Sequence, residues 1–143
     1  MRSAVPTASQ TSTPPPATVR TITASLNAQL GFNAHGTVRV DIQENGYVLS
    51  VIVSGLLPDQ VHLVNTHAGS CAHQDTRVIM DLAGAPVTFG NRMMSDGGGN
   101  AMLSQQYPGR KFTIPAEGRI LTVHGPFGSD DLTTHIACAD LTN

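Results

Sequence analysis

The segment from Thr37 to Ser54 constrains the chain more than any other. Val38, Val40 and Ile42 alternate with Thr37, Arg39, Asp41 and Gln43, and Leu49, Val51 and Val53 resume the same period after Asn45-Gly46. A period of two sends successive side chains to opposite faces of a strand, one face toward a core and the other toward water. Asn-Gly tolerates positive φ at both central positions of a two-residue type I′ turn. Folding the chain there predicts Ile42 opposite Leu49, Val40 opposite Val51 and Val38 opposite Val53, so that apolar meets apolar along the whole hairpin.

The same alternation appears in Thr21–Leu30, where Ile22, Ala24, Leu26, Ala28 and Leu30 alternate with polar residues. Further strands are expected at Val61–His67, Arg77–Leu82, Pro86–Phe89, Asn100–Gln105, Lys111–Ile114, Arg119–His124 and Thr134–Cys138. Gly and Pro clusters separate them, and no helix-length amphipathic segment competes. Many short strands with frequent turn signals predict an all-β sandwich or Greek-key barrel. The chain has 143 residues, 40% of them hydrophobic but only 4% aromatic and none Trp. Val, Ile, Leu and Ala must therefore fill the interior, which suits the thin core between two sheets.

Residues 1–18 differ in kind. They are rich in Pro, Ser and Thr, and they offer almost nothing to bury. Such a segment is expected to stay extended and solvated, because no core contact offsets the entropy of ordering it. It reads as a stalk following a removed signal peptide or lipid-attachment site, with the folded domain at 19–143; its alternative role is assembly, by pairing with the sheet edge of a neighbouring copy. An extracytoplasmic location follows as an expectation. Charge is sparse and balanced, with 8 Lys and Arg against 10 Asp and Glu. No basic stripe is present to neutralise phosphates, so a nucleic-acid partner is not expected. No run approaches the roughly 18 apolar residues of a membrane-spanning helix.

Cys71 and Cys138 lie far apart without CxxC spacing. Two readings stand: one disulfide joining a mid-chain loop to the C-terminal strand, or two free buried thiols in a cytosolic protein. A bridge closing so long a loop would stabilise the fold by roughly 4 kcal/mol in the chain-entropy model.

Three stretches together resemble the copper-zinc superoxide dismutase family and its shorter bacterial relatives. VHLVNTHAGSCA (Val61–Ala72) is similar to the family's segment in which a strand carries a His, a second His two residues on, and then a Cys. GRILTVHG (Gly118–Gly125) resembles the late strand ending on a copper-binding His, and HIACAD (His135–Asp140) resembles the C-terminal strand with the second cysteine. Order and spacing agree across most of Thr18–Asn143. The resemblance implies a Greek-key β-sandwich or barrel of about eight strands, with Cys71 and Cys138 as the disulfide partners.

By the same resemblance, His67 matches the second His of the copper motif and His124 the copper ligand of the late strand. The first His of the motif falls at Asn65, whose amide is a poor copper ligand beside an imidazole. His62 matches a His that is structural in the family. The zinc loop has no counterpart in AHQDTRVI after Cys71, so zinc is not expected; His73 is the one imidazole there, at a different spacing. The family's superoxide-guiding Arg aligns with His135, a residue with little charge at neutral pH unless perturbed. Asn65 and His67 share a face of their strand. His67, His124 and His135 are expected to converge near one rim, with His73 reaching it from the loop.

Two functions are carried forward. The first is a non-catalytic exported module for structure, adhesion or assembly, with the remaining histidines hydrogen-bonded. The alternative is a copper-binding or copper-only redox protein; a working dismutase ranks last, because the bridging His and zinc site are missing. Other features have plainer readings. His35 reads as a surface or edge residue. Met80, Met93, Met94 and Met102 read as core filler rather than copper ligands, since adjacent residues cannot both face inward on a strand. Ser95–Asn100 reads as a hairpin loop and Asp130-Asp131 as a solvated pair. No Ser-His-Asp or Cys-His set can be assembled.

Overall fold

β-Branched and alternating segments dominate the described residues, with Gly, Pro or Asn near most of their ends, so strands form there and no helix does. The computed structural model describes residues 17–29, 31–78, 92–125 and 134–142, with 74–78 described by backbone alone. Nine strands are present among these residues: β1 (Thr18–Ala28), β2 (His35–Gln43), β3 (Gly46–Ser54), β4 (Val61–Gly69), β5 (Gln74–Val78), β6 (Arg92–Met94), β7 (Ala101–Pro108), β8 (Arg119–His124) and β9 (His135–Asp140). The expected strand Pro86–Phe89, Met80, Asp130-Asp131 and residues 1–16 of the expected stalk lie outside the described residues.

The strands form one antiparallel sheet in the order β5-β4-β8-β9-β1-β2-β3-β7. Most of β1 pairs with β2, from Thr18 to Leu26, whereas Asn27 and Ala28 at its end pair with β9. One continuous strand thereby joins the β2-β3-β7 half to the β9-β8-β4-β5 half. Short β6 pairs with the start of β4, Val61 opposite Met94, and also lies against β7. The sheet thus curls until it nearly closes as a barrel. Closure hides edges that would otherwise invite pairing with another chain.

The interior is lined as the alternation predicts. Ile22 and Leu26 of β1, Val38 and Val40 of β2, Leu49, Val51 and Val53 of β3, and Leu121 and Val123 of β8 are all buried in one cluster. Aromatic residues close one end: Tyr47 stacks on Tyr107 with ring centroids 4.7 Å apart, and Phe112 meets Tyr47 edge-on at 5.2 Å.

The hairpin forms, in a register two residues from the expected one. Ile42 faces Tyr47, Val40 faces Leu49 and Val38 faces Val51, and the turn is Glu44-Asn45 rather than Asn45-Gly46. A shift of two leaves every apolar side chain on the same face, so hydrophobic patterning cannot distinguish the registers. The choice falls to the neighbouring strand. Gly46 opens β3 at φ 151°, opposite Pro108 of β7, and a Cβ there would strike the carbonyl oxygen of Tyr107. Asn45 is not among the positive-φ residues, so the turn is not type I′.

Two further expectations change. Lys111–Ile114 is irregular rather than a strand, although Phe112 buries its ring from it. Arg92–Met94 is a strand where none was expected, and it splits the neighbouring methionines as alternation requires: Met93 is buried and Met94 exposed. Met102 is exposed too, and His35 is exposed with Nδ1 2.8 Å from the carbonyl oxygen of Asn33.

Cys71 and Cys138 form a disulfide with Cα atoms 5.8 Å apart, which rules out the free-thiol reading. It fastens the turn after β4 to the middle of β9. The Cys71 amide also donates to Oδ1 of Asp140 at 2.9 Å.

Candidate metal centre

The site is built on β4, β8 and β9, which lie side by side. Asn65 faces Thr122 and His67 faces Ile120 across β4 and β8, and Thr122 faces Cys138 across β8 and β9. By alternation, Asn65, His67, Ile120, Thr122, His124 and Cys138 project from one face of this sheet. Val64, Leu121, Val123, Ala137 and Ala139 project from the other and belong to the core cluster. The disulfide and the histidines therefore occupy the outer face, backed by close-packed aliphatic residues.

β9 joins the site through an irregularity. Val123 pairs with Ala137, but His124 pairs with His135, so Ile136 is an extra residue on β9. Ile136 turns into the core, where it is buried. The surplus residue reverses the alternation and brings His135 opposite His124. β-Bulges commonly re-aim side chains in this manner beside functional sites.

The result is a group of three imidazoles, His67, His124 and His135, whose ligand nitrogens all lie within 4.8 Å of one another. Ring centroids are 4.6 Å apart for His124 and His135, 5.5 Å for His67 and His135, and 6.0 Å for His67 and His124. His67 and His124 are buried, at 5% and 1% exposure, and His135 is half-buried. A metal held at about 2.0–2.1 Å from each nitrogen needs them within roughly 4 Å of one another. Small rotations about the side-chain torsions would therefore close the site, with no movement of the strands.

His124 is oriented by polar neighbours on the same face. Its Nε2 lies 3.0 Å from the Thr122 hydroxyl and 3.3 Å from the Asn65 amide nitrogen. The Thr122 hydroxyl also reaches the Asn65 carbonyl oxygen at 3.4 Å. On the core side, His62 places Nδ1 2.9 Å from the backbone carbonyl oxygen of His124. A carbonyl only accepts, so Nδ1 of His62 carries the proton and donates. His62 thus fixes the β8 terminus from within, outside the three-histidine group, in the structural role its position implied.

His67, His124 and His135 come together as expected, and Asn65 stands beside them. His73 does not join the group. It is exposed in the turn after β4, where its amide donates to the carbonyl of Ser70 at 3.1 Å and to the Ser70 hydroxyl at 3.0 Å. Thr122 is the residue that sequence reasoning passed over. Its signal was present: it sits two residues before His124 on a strand and so shares its face.

No family model matches the chain, and no curated protein matches its sequence. Among the described residues no helix is long and apolar enough to cross a membrane.

Proposed function

We propose that this protein is an extracytoplasmic, disulfide-tied β-domain of the copper-zinc superoxide dismutase-like type that binds a single copper ion through His67, His124 and His135. The observation that carries the reading is the approach of three imidazole nitrogens to within 4.8 Å on a rigid, core-backed sheet. Three imidazoles suit copper and zinc alike, and copper lies above zinc in the affinity order for a given nitrogen site. The donors sit on three adjacent strands, so their positions are set by the ladder and not by a loop.

The residues around the donors have separate parts. Thr122 and Asn65 contact Nε2 of His124 and hold its ring in place. Such outer partners fix ring orientation and ligand basicity. When bound, copper would supply one-electron redox chemistry. With an amide at position 65 in place of an imidazole, the reading is copper binding rather than efficient dismutation. The disulfide supports the location, because such bridges persist in oxidising compartments.

Titration with Cu(II), followed by elemental analysis of the desalted protein, tests this directly. One copper per chain is expected, falling to background in a His67→Ala, His124→Ala double variant. Equal copper in the variant and the parent would overturn the reading. Superoxide consumption by the copper-loaded protein should stay at background.

The hydrogen bonds of Thr122 and Asn65 to His124 favour a second reading, in which the cluster is a polar fastening for β4, β8 and β9 in a non-catalytic structural module. That reading predicts no stoichiometric copper, together with loss of stability when Thr122 is replaced.

A further inference from the structure

A different feature lies at the other end of β8, about 17 Å along the strand from His124 at 3.3–3.4 Å per residue. Here the curled sheet opens into a cleft of about 400 Å³, floored by Ile42 and Phe112 and bordered by Arg20, Arg110 and Lys111, with Glu44 as its one acidic residue. Three of the chain's 8 Lys and Arg thus meet here with one of its 10 Asp and Glu, in a protein of net charge −2. The local sign is opposite to that of the whole.

The placement follows from the strands. Arg20 continues the inward alternation of Ile22 and Leu26, and it faces Ile42 beside the bulge that separates Thr18 from Arg20. An inward position at the end of a barrel opens onto its mouth, where ligand sites are common. The wall opposite is stitched to the β2–β3 turn: the amide of Gly109 donates to the carbonyl of Asn45 at 2.6 Å. That bond holds Arg110 and Lys111 next to the turn.

A second observation is independent of the rim. Arg119 occupies an inward position on β8 and is only 3% exposed. Its guanidinium lies 4.2 Å from the centre of the Phe112 ring, and it donates to the carbonyl of Thr113 at 3.0 Å and to the Thr66 hydroxyl at 3.4 Å. No carboxylate partners it among the described residues. Arg119 does not line the cleft itself, but it stands against the Phe112 ring and adds a fourth basic group next to the three on the rim.

We propose that this cleft binds a small organic sulfate or phosphate ester. Arg20 and Lys111 take the oxyanion, and the apolar floor of Ile42 and Phe112 receives the carbon body. Guanidinium and ammonium groups form charge-assisted hydrogen bonds to such oxygens. The volume matches a ligand the size of one or two sugar rings. This site is separate from the histidines and does not depend on them.

Sucrose octasulfate, inositol hexakisphosphate and uncharged sucrose, titrated into the full chain at low salt and followed by calorimetry and amide shifts, form the test. Binding of one or both anions is expected, with shifts at the Gly46 and Gly109 amides and none with sucrose. Sulfate-only binding identifies a sulfated ligand and phosphate-only binding a phosphorylated one. Arg20→Ala and Lys111→Ala, both on exposed side chains, should each weaken binding about tenfold; Arg92→Ala, on β6 and outside the cleft, should not. Equal weakening by Arg92→Ala would reduce the effect to general charge, and no binding of either anion would remove it; both overturn the proposal.

Discussion

The side-chain amide of Asn65 lies 3.3 Å from Nε2 of His124 on the adjacent strand, within the polar surroundings of the three-histidine group. An amide at this point can orient an imidazole but is a poor substitute for one as a metal donor. The position therefore separates orientation of the site from its donor count.

Asn65→His should add a fourth imidazole on the face that already carries His67. Copper affinity is expected to rise by about an order of magnitude or more, each tenfold corresponding to about 1.4 kcal/mol. Competition against a chelator of known affinity measures it. An unchanged or lowered affinity would mean that residue 65 does not address the metal.

Thr122→Val keeps the shape of a side chain that is fully buried but removes the hydroxyl 3.0 Å from Nε2 of His124. Loss of an outer-shell partner typically lowers metal affinity about 10–100-fold. Loss of the hydrogen bond should cost the apo protein about 1 kcal/mol. Chelator competition and urea denaturation report the two effects separately. A drop in stability with intact copper affinity would favour the structural reading of the cluster.

The disulfide spans 67 positions of sequence. Closing a loop of that length should stabilise the fold by about 4 kcal/mol in the chain-entropy model. Cys71→Ser, Cys138→Ser is expected to lower the urea midpoint, with a steeper slope because the unlinked denatured chain exposes more surface. Because Cys138 sits opposite Thr122 on the histidine-bearing face, copper binding should weaken along with stability.

Gly46→Ala forces a side chain into a left-handed backbone region and against the carbonyl of Tyr107. A cost of about 1–3 kcal/mol is expected. Thermal unfolding in the presence and absence of the substitution measures it, and a neutral result would mean that the β3–β7 approach relaxes easily.

Much of this architecture was legible in the residues. The alternation around Val38, Val40 and Ile42 announced the hairpin, and Arg119–His124 appears with the bounds expected of it. The register was not legible, because moving by two residues preserves every inward side chain. Phe112 shows why Lys111–Ile114 misled: one buried aromatic anchors a segment that pairs with no strand. Three-residue β6 was too short for any alternation to register. Among the histidines, the family resemblance, not strand pattern, brought His67, His124 and His135 to one rim, since spacing along the chain does not contain the pairing of β9 with β8. His73 followed a turn whose direction only the fold determines.

The extra residue at Ile136 carries a consequence for how such a site arises and disappears. His135 stands among the other imidazoles because the ladder slips by one step there. Were the ladder regular with Ile136 in it, Ile136 would stand opposite His124 and position 135 would point inward, leaving two nitrogens where three now meet. A one-step change of register at the end of β9 could thus strip the centre of a donor without touching a histidine.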